Sequence, residues 1–200
     1  YMGSLPYSIE AISTFKGWIS DYIQDIDKAR KKVLVIDLDN TIWGGGVGED
    51  GTNGICLGNS GEGACYRDAQ KRIKEIKNTG VLLAIVSKNN YDDVDDVFSN
   101  NNHMILGWSD FAAYRINWNS KSENIIDLSK ELNVTTSDFV FLDDNPIERA
   151  EVRQNTPDIC IADFPKDKAK LPEAVSSIYN DYFRIFKMTD EDHKKTEFYQ

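Results

Sequence analysis

The chain has 200 residues, of which 40% are hydrophobic, and this supplies enough apolar surface for one domain with a substantial core. It carries 23 basic and 33 acidic side chains and a formal net charge of −10, so we expect no nucleic-acid partner, because no basic stripe is available for a phosphate backbone. The chain has no apolar run of membrane-spanning length, no leader resembling a signal peptide and no C-x-x-C spacing, so we expect a cytoplasmic protein without a membrane partner.

The first predicted element is an amphipathic helix over residues 8–28, within an N-terminal lead-in that covers residues 1–32. Apolar side chains recur there at helical spacing, at Ile9, Ile12, Phe15, Ile19, Tyr22, Ile23 and Ile26. The stretch "KKVLVIDLDNTIWGGG" follows, and its apolar block over residues 33–36 is typical of a strand covered on both faces in a parallel sheet.

Two aspartates, Asp37 and Asp39, come directly after this strand. In an extended backbone the side chains at i and i+2 point the same way, so the two carboxylates would project together. Neighbouring carboxylates repel unless a cation neutralises them or one holds a proton, and both situations are typical of reactive sites. The alternative is that Asp39 and Asn40 merely shape a turn, and the pair of aspartates by itself leaves both interpretations open.

Strands and helices alternate along the rest of the chain. A glycine-rich flap or hairpin is predicted over 43–61, with "GEDG" as its turn, and a helix follows over 62–79. The next predicted elements are a strand in "VLLAIV" that ends at Ser87, a helix capped by Asn90, a strand in "FAAYRINW" and a helix capped by Ser120 and Glu123. The last are a strand in "DFVFL", a helix capped by Asn145 with Pro146 at its first position, and a fifth strand in "DICIA". Trp43 either leans over a substrate from the flap or packs beneath it.

This alternation predicts an α/β fold with a mainly parallel, Rossmann-like sheet and helices on both faces. The predicted domain covers residues 33–165, and residues 166–200 form a C-terminal helical extension that could lead to a further domain in a longer protein. The segments from Asp39 to Ser87 and from Ser87 to Lys121 are filled by the flap, helices and a strand. We therefore expect no large cap domain and an open site.

Polar side chains stand where the predicted strands end. Asp37 and Asp39 follow the first strand, Ser87 and Lys88 the second, and Asp143 and Asp144 the fourth, while Lys121 begins a helix. Because the carboxyl ends of parallel strands share one crevice, these groups are expected to converge. Carboxylates favour a hard cation such as Mg²⁺, and a lysine with a hydroxyl suits a phosphoryl group. Taken singly, Lys121 is typical of a solvated helix, Ser87 of a turn, and Asp143 with Asp144 of a helix start.

The same residues resemble a known family. "DLDNT" at 37–41, "VSKNN" at 86–90, Lys121 in "NWNSKSEN" and "FLDDNP" at 141–146 are similar to the four motifs of the haloacid dehalogenase (HAD) superfamily. The flanking sequence resembles more narrowly its FkbH-like branch, subfamily IIIC. The resemblance spans about residues 33–155 and implies a HAD-type fold.

The resemblance also implies a role for each motif residue. Asp37 would be the nucleophile that becomes an aspartyl phosphate, and Asp39 the acid for the leaving group and then the base for water. Mg²⁺ would be held by Asp37, by the Asp39 carbonyl and by Asp144. The phosphate-binding set would be Ser87, Lys88, Asn89 and Lys121, and the supporting set Thr41, Asp143 and Asn145. Lys88 could equally neutralise Asp92 or Asp93.

We therefore predict a magnesium-dependent phosphatase acting on a phosphorylated small molecule or on a phosphate carried by a tethered partner. FkbH-like proteins suggest an alternative, the transfer of a glyceryl or acyl group from a phosphorylated three-carbon donor to an acyl carrier protein through a cysteine. Here Val86 stands where that cysteine is expected, Cys56 and Cys65 lie by the flap, and Cys160 is expected to be buried. A third alternative is a non-catalytic phosphate-binding regulatory domain, although the motif order differs from that of receiver domains.

Overall fold

The computed structural model describes residues 8–27 and 30–184, except for the side chains of Ile9 and of residues 21–27. The described residues divide into two compact units between Arg30 and Lys31. The first unit contains one helix, α1 (Ile9–Asp27), which confirms the predicted lead-in helix. Phe15, Trp18 and Ile19 on this helix are exposed. Ile12 is partly exposed, and the side chains of the predicted apolar positions Ile9, Tyr22, Ile23 and Ile26 lie outside the described set.

The second unit is built on a five-stranded sheet in which every pair of neighbouring strands is parallel. The strand order is β3-β2-β1-β4-β5. The strands are β1 (Val33–Ile36), β2 (Leu82–Ser87), β3 (Ala113–Ile116), β4 (Phe139–Leu142) and β5 (Cys160–Ile161). All residues of β1, β2 and β4 are buried, which explains their uninterrupted apolar runs and confirms the parallel-sheet prediction.

Helices cover both faces of this sheet. They are α2 (Val47–Asp50), α3 (Gly61–Asn78), α4 (Tyr91–Asn100), α5 (Lys121–Glu131), α6 (Pro146–Asn155) and α7 (Leu171–Ile178), followed by a π-helical turn, Tyr179–Phe183. Alternate strand residues enter two separate apolar clusters, one shared with α3, α4 and α7 and the other with α5 and α6. The two-residue period of a strand thus divides the core between the faces.

The segment after β1 differs from the predicted hairpin. "GEDG" contributes to the helical turn α2, which ends at Asp50 and is followed by Gly51 with φ at +68°. A single antiparallel bridge between Gly44 and Cys56 closes the segment. The Asp50 carboxylate accepts a hydrogen bond from the Gly46 N–H (3.0 Å), and this side-chain contact favours a helical turn over a β-turn. No large cap interrupts the described part of the unit, in agreement with the spacing of the motifs.

Two strands are shorter than the apolar stretches from which they were predicted. "FAAYRINW" yields only the four residues of β3, because a 3₁₀ turn over Trp108–Asp110 precedes Phe111. "DICIA" yields only the two residues of β5 at the sheet edge.

The predicted C-terminal extension is described as far as Arg184, and residues 185–200 lie outside the described set. Within it, Leu171, Val175 and Ile178 of α7 are buried in the cluster that contains α3. No described helix combines the length and the apolar character that crossing a membrane requires.

Candidate active site

The carboxyl ends of β1, β2 and β4 open into a cleft of about 340 Å³. The cleft is lined by Asp37, Asp39, Asn40, Ser87, Lys88, Lys121, Asp144, Asn145, Pro146 and Glu148. The structure therefore brings together the side chains that follow the first, second and fourth predicted strands, as expected for a parallel sheet. Asn89, Thr41 and Asp143, which complete the predicted set, contact these lining residues.

Asp37 is fixed by side chains from three other segments. Its N–H donates to the Leu142 carbonyl (3.0 Å), so the backbone continues the β1–β4 pairing before leaving the sheet. Its Oδ1 accepts a hydrogen bond from Ser87 Oγ (2.8 Å) and pairs with Lys121 Nζ at 2.8 Å. Thr41 Oγ1 lies at the longer distance of 3.5 Å from Oδ2. The Asp37 side chain is buried. Its carboxylate is oriented through Oδ1 and is less constrained at Oδ2.

Lys121 and Asp143 form a buried ion pair behind Asp37. Lys121 is the first residue of α5 and also pairs with Asp143, while the Asn145 N–H donates to the other Asp143 oxygen (2.7 Å). Burial, followed by the charge of Asp37, raises the pKa of Asp143 to about 6. Burial acting alone would lower the pKa of Lys121, but the charges of Asp37 and Asp143 outweigh it and raise that pKa, so the lysine stays cationic.

Three carboxylates could hold a metal ion. Asp37, Asp143 and Asp144 each offer an oxygen, and these oxygens lie within 4.8 Å of one another. Burial and then the Asp37 charge raise the pKa of Asp144, and the charges of Lys168, Lys121 and Arg149 oppose that effect. An all-oxygen, largely carboxylate set fits a hard divalent cation.

The loop that carries these acids is held by neighbouring side chains. Arg149 Nη1 donates to the carbonyl oxygens of Asp143 (2.6 Å) and Asp144 (2.8 Å). Thr41 Oγ1 accepts from the Asp144 N–H (3.2 Å), which ties the loop after β4 to the turn after β1. The Asn145 side chain accepts from the Ile147 N–H (2.9 Å), so the predicted helix cap at Asn145 is confirmed.

Asp39 receives three hydrogen bonds from neutral donors. Trp43 Nε1 (2.8 Å) and the Val47 N–H (3.1 Å) donate to its Oδ1, and Asn89 Nδ2 donates to its Oδ2 (3.0 Å). Trp43 is fully buried, so the packing alternative is correct for this residue, and its indole also orients Asp39. The group of three acids contains Asp143 and not the Asp39 side chain, so metal binding by Asp39 stays a prediction.

Lys88 and Asn90 make contacts that the sequence did not predict. Lys88 Nζ pairs with Glu148 Oε1 at 2.8 Å, so the interpretation that Lys88 neutralises Asp92 or Asp93 is wrong. Asn90 stands at the cap position of α4, but its side chain makes no capping bond to the backbone. Its amide instead donates to Asp93 (3.1 Å).

Sequence reasoning also missed Lys168. Its Nζ donates to the Asn40 carbonyl (3.0 Å) and lies over the Phe164 ring at 4.4 Å from the centroid. Burial lowers the pKa of Lys168, and the charges of Asp144 and Glu62 oppose that effect. Asn40 has a positive φ of 54°, so this contact supports a turn in the left-handed region next to Asp39. No local pattern links two positions so far apart in the chain.

For Glu148, the only available signal was its place in the first turn of the helix after the fourth motif.

None of the three cysteines is among the residues that line the cleft. Cys56 is exposed, and Cys65 and Cys160 are partly exposed. The expectation that Cys160 is buried was wrong, because β5 is a short edge strand with one side open. Within the described part of the chain, the cleft lining contains no thiol.

Comparisons with known proteins show what this fold and site are similar to. No family model matches the chain. The enolase-phosphatase E1 of Sulfurihydrogenibium sp. (strain YO3AOP1) is 28% identical over 142 residues, which are 70% of this chain and 54% of that protein. The crystal structure of the N-terminal part of the protein BF1531 from Bacteroides fragilis, containing a phosphatase domain complexed with Mg, has a TM-score of 0.75 and 36% sequence identity.

That structural match covers 87% of this chain and 46% of the Bacteroides chain, so this chain spans about half the length of the relatives that it matches. The fold is thus an α/β fold similar to a HAD-type phosphatase domain, and both relatives support a phosphatase of this type. The narrower resemblance to the FkbH-like branch stays a prediction.

Proposed function

We propose that the domain is a magnesium-dependent phosphatase that hydrolyses a phosphomonoester through an aspartyl phosphate on Asp37. The observation that carries the proposal is the position of the Asp37 carboxylate, which is held by Ser87 and Lys121 and belongs to the group of three acids that could hold a metal ion. The two phosphatase relatives, one of them complexed with Mg, support the same reaction class.

Charge compensation is the first requirement of this chemistry. A carboxylate is a weak nucleophile toward a phosphate dianion, because the two negative charges repel. Lys121 supplies one buried cation beside Asp37. Asp37 and Asp144, with Asp143 beside them, would hold Mg²⁺, which would offset the charge on the phosphoryl oxygens. The Ser87 hydroxyl and the Asn89 amide contact each other (3.2 Å) and also contact Asp37 and Asp39, respectively, and they would donate to those oxygens.

Proton transfer is the second requirement. In the first step Asp37 forms a bond to phosphorus, the ester P–O bond breaks, and the leaving oxygen takes a proton from Asp39. In the second step a water oxygen attacks phosphorus, Asp39 takes the water proton, and the bond from Asp37 to phosphorus breaks. The products are an alcohol and inorganic phosphate. The hydrogen bonds from Trp43 and Asn89 hold the Asp39 carboxylate in one orientation for both transfers.

The cysteine positions favour hydrolysis over acyl transfer. Transfer to a carrier protein through a thioester needs a thiol within attack distance of the donor carbonyl, and the described cleft lining contains none. A regulatory phosphate-binding domain would use the same phosphate ligands but would release no product.

The proposal is tested by phosphate release from p-nitrophenyl phosphate with Mg²⁺ and after chelation. We expect turnover that requires Mg²⁺ and that falls by roughly 10³-fold or more in Asp37→Asn, since the amide is a poor nucleophile. Asp158→Asn changes an exposed residue outside the four motifs and the cleft lining, so it serves as the matched control and should retain activity. Full activity in Asp37→Asn would contradict the mechanism, and phosphate binding without turnover in the wild type would favour the regulatory alternative.

A further inference from the structure

An ion pair joins two residues that line the cleft, Lys88 and Glu148, and we refer to them as the rim pair. Lys88 directly follows β2, and Glu148 lies in the first turn of α6, the helix after β4. β2 and β4 are the two neighbours of β1 in the sheet. The rim pair, with its 2.8 Å contact, therefore connects the segments that follow the two neighbours of β1, and both of its residues line the cleft.

One oxygen of the rim pair lacks a hydrogen-bond donor. Glu148 Oε1 accepts from Lys88, whereas Oε2 is buried and has no partner among the described residues. The Glu148 side chain is only 16% exposed. A buried carboxylate oxygen without a donor is costly, and a carboxylate can only accept hydrogen bonds. A ligand that brings a hydroxyl or ammonium group would remove this cost.

The direction of the proposed reaction places the leaving group on this side of the cleft. In-line attack puts the nucleophile and the leaving oxygen on opposite sides of phosphorus. The Asp37 side chain is 7% exposed, whereas those of Lys88 and Glu148 are 35% and 16% exposed, so we expect the leaving group to point away from Asp37 toward the less buried rim pair.

We propose that Glu148 determines substrate specificity by accepting a hydrogen bond from a hydroxyl or ammonium group on the alcohol portion of the substrate. The substrate class is then a phosphomonoester of a polyol or an amino alcohol. An ester with a carboxylate at that position is rejected. This inference rests on the proposed phosphatase function.

The charges of the cleft support rejection of a carboxylate. Four of its lining residues are acidic, and its two lysines are already paired, Lys121 with Asp37 and Lys88 with Glu148. No unpaired cation therefore remains among the described lining residues to receive an anionic leaving group. A carboxylate beside Glu148 would meet a like charge in a partly desolvated place, and such contacts discriminate strongly between ligands.

The test compares two substrates that differ at one group. Glycerol 3-phosphate presents a terminal hydroxymethyl group where 3-phosphoglycerate presents a carboxylate, and p-nitrophenyl phosphate has no donor and reports turnover as such. We expect the wild type to prefer glycerol 3-phosphate by about tenfold or more in kcat/KM. In Glu148→Gln this ratio should fall by about fivefold or more, because the amide carries no charge and can donate to a carboxylate.

Two further variants keep the test decisive. Glu151→Gln lies on the same helix, but its carboxylate contacts Ser122 and Asn155, so the substrate ratio should stay at the wild-type value. Lys88→Met leaves Glu148 without its counter-ion and should widen discrimination against the carboxylate ester. Circular dichroism checks that each variant is folded, and the Lys88 variant still tests the inference if Glu148→Gln does not fold.

The outcomes separate this inference from the function on which it rests. Turnover of p-nitrophenyl phosphate with equal kcat/KM for the two three-carbon esters would overturn the role of Glu148 and leave the phosphatase proposal intact. The role of Glu148 would also be overturned if the kcat/KM ratio of the two three-carbon esters were unchanged in folded Glu148→Gln, or if that ratio were smaller in Lys88→Met than in the wild type. Failure of the wild type to release phosphate from any of the three esters would overturn both proposals.

Discussion

Replacing Lys121 by methionine removes the buried cation between two buried carboxylates. The Lys121 side chain is 4% exposed and pairs with Asp37 at 2.8 Å and with Asp143. Methionine keeps an unbranched side chain of similar length, so the change removes charge more than volume. The variant therefore isolates what the cation contributes to the folded protein.

The expected loss of stability at neutral pH is large. Removing one partner of a buried ion pair costs about 3–5 kcal/mol, because the remaining charge is left uncompensated in a desolvated site. Here the charges of Asp37 and Asp143 would face each other directly. We expect the free energy of unfolding of the metal-free variant at pH 7.5 to be lower by that amount.

The pH dependence gives the sign of the effect. Burial, followed by the charge of Asp37, raises the pKa of Asp143 from 3.8 to about 6 in the folded wild type. A group with a raised pKa adds stability that is fully present below about pH 4 and is lost as the pH rises through about 6. Without Lys121 the pKa of Asp143 rises further, so protonation of Asp143 stabilises the variant more than it stabilises the wild type. The difference in the free energy of unfolding between the two proteins should therefore shrink to below about 2 kcal/mol near pH 4.5.

Urea unfolding at pH 4.5, 6 and 7.5, followed by circular dichroism without metal, measures these differences. The matched control is Lys130→Met, in the last turn of the same helix, where the lysine is exposed and the expected change is within about 0.5 kcal/mol. A loss below about 1 kcal/mol at pH 7.5, or a loss that is equal at all three pH values, would refute the reasoning.

Three further predictions concern the surroundings of the cleft. Trp43→Phe keeps a buried aromatic ring but removes the hydrogen bond to Asp39, so kcat for p-nitrophenyl phosphate should fall by about tenfold with KM little changed. An unchanged kcat would show that this hydrogen bond does not position Asp39. Lys168→Met removes a positive charge that acts on Asp144, so Mg²⁺ binding measured by calorimetry should become about threefold tighter. Lys170→Met changes an exposed lysine and should leave Mg²⁺ affinity unchanged, and an equal gain in both variants would contradict the role given to Lys168. Serine at all three cysteines, Cys56, Cys65 and Cys160, should leave phosphate release nearly unchanged and yield no acyl-protein adduct from a phosphorylated three-carbon donor; an adduct on wild type that this variant loses would favour acyl transfer.

The sheet and the convergence of the motif residues could be predicted because both depend on local patterns. A continuous apolar run specifies a doubly covered strand, and the polar residue that ends it then lies at the carboxyl edge of the sheet, as Asp37 and Ser87 do. The cap at Asn145 was also predictable, because its side chain reaches a backbone N–H two residues away.

The remaining contacts depend on side chains from distant segments. The Asn90 side chain contacts Asp93 instead of capping its helix, and Trp118 Nε1 donates to it (3.2 Å). Lys88 pairs with Glu148 across 60 positions of sequence, and Lys168 reaches Asn40 across 128. Such pairs are fixed by the completed fold, so single-residue patterns could not predict them.

The central claim is that the Asp37 carboxylate receives the phosphoryl group, and the most direct test is to trap and locate the covalent intermediate. Asp39→Asn should slow its hydrolysis, while an aryl leaving group departs without a proton donor and lets phosphorylation proceed. The variant is mixed with Mg²⁺ and radiolabelled aryl phosphate, quenched in acid, and treated with hydroxylamine to convert an acyl phosphate into a hydroxamate for mass spectrometry. We predict label on the protein and a hydroxamate at Asp37, with no label in Asp37→Asn. Phosphate release without any labelled protein, or label at another residue, would contradict the account.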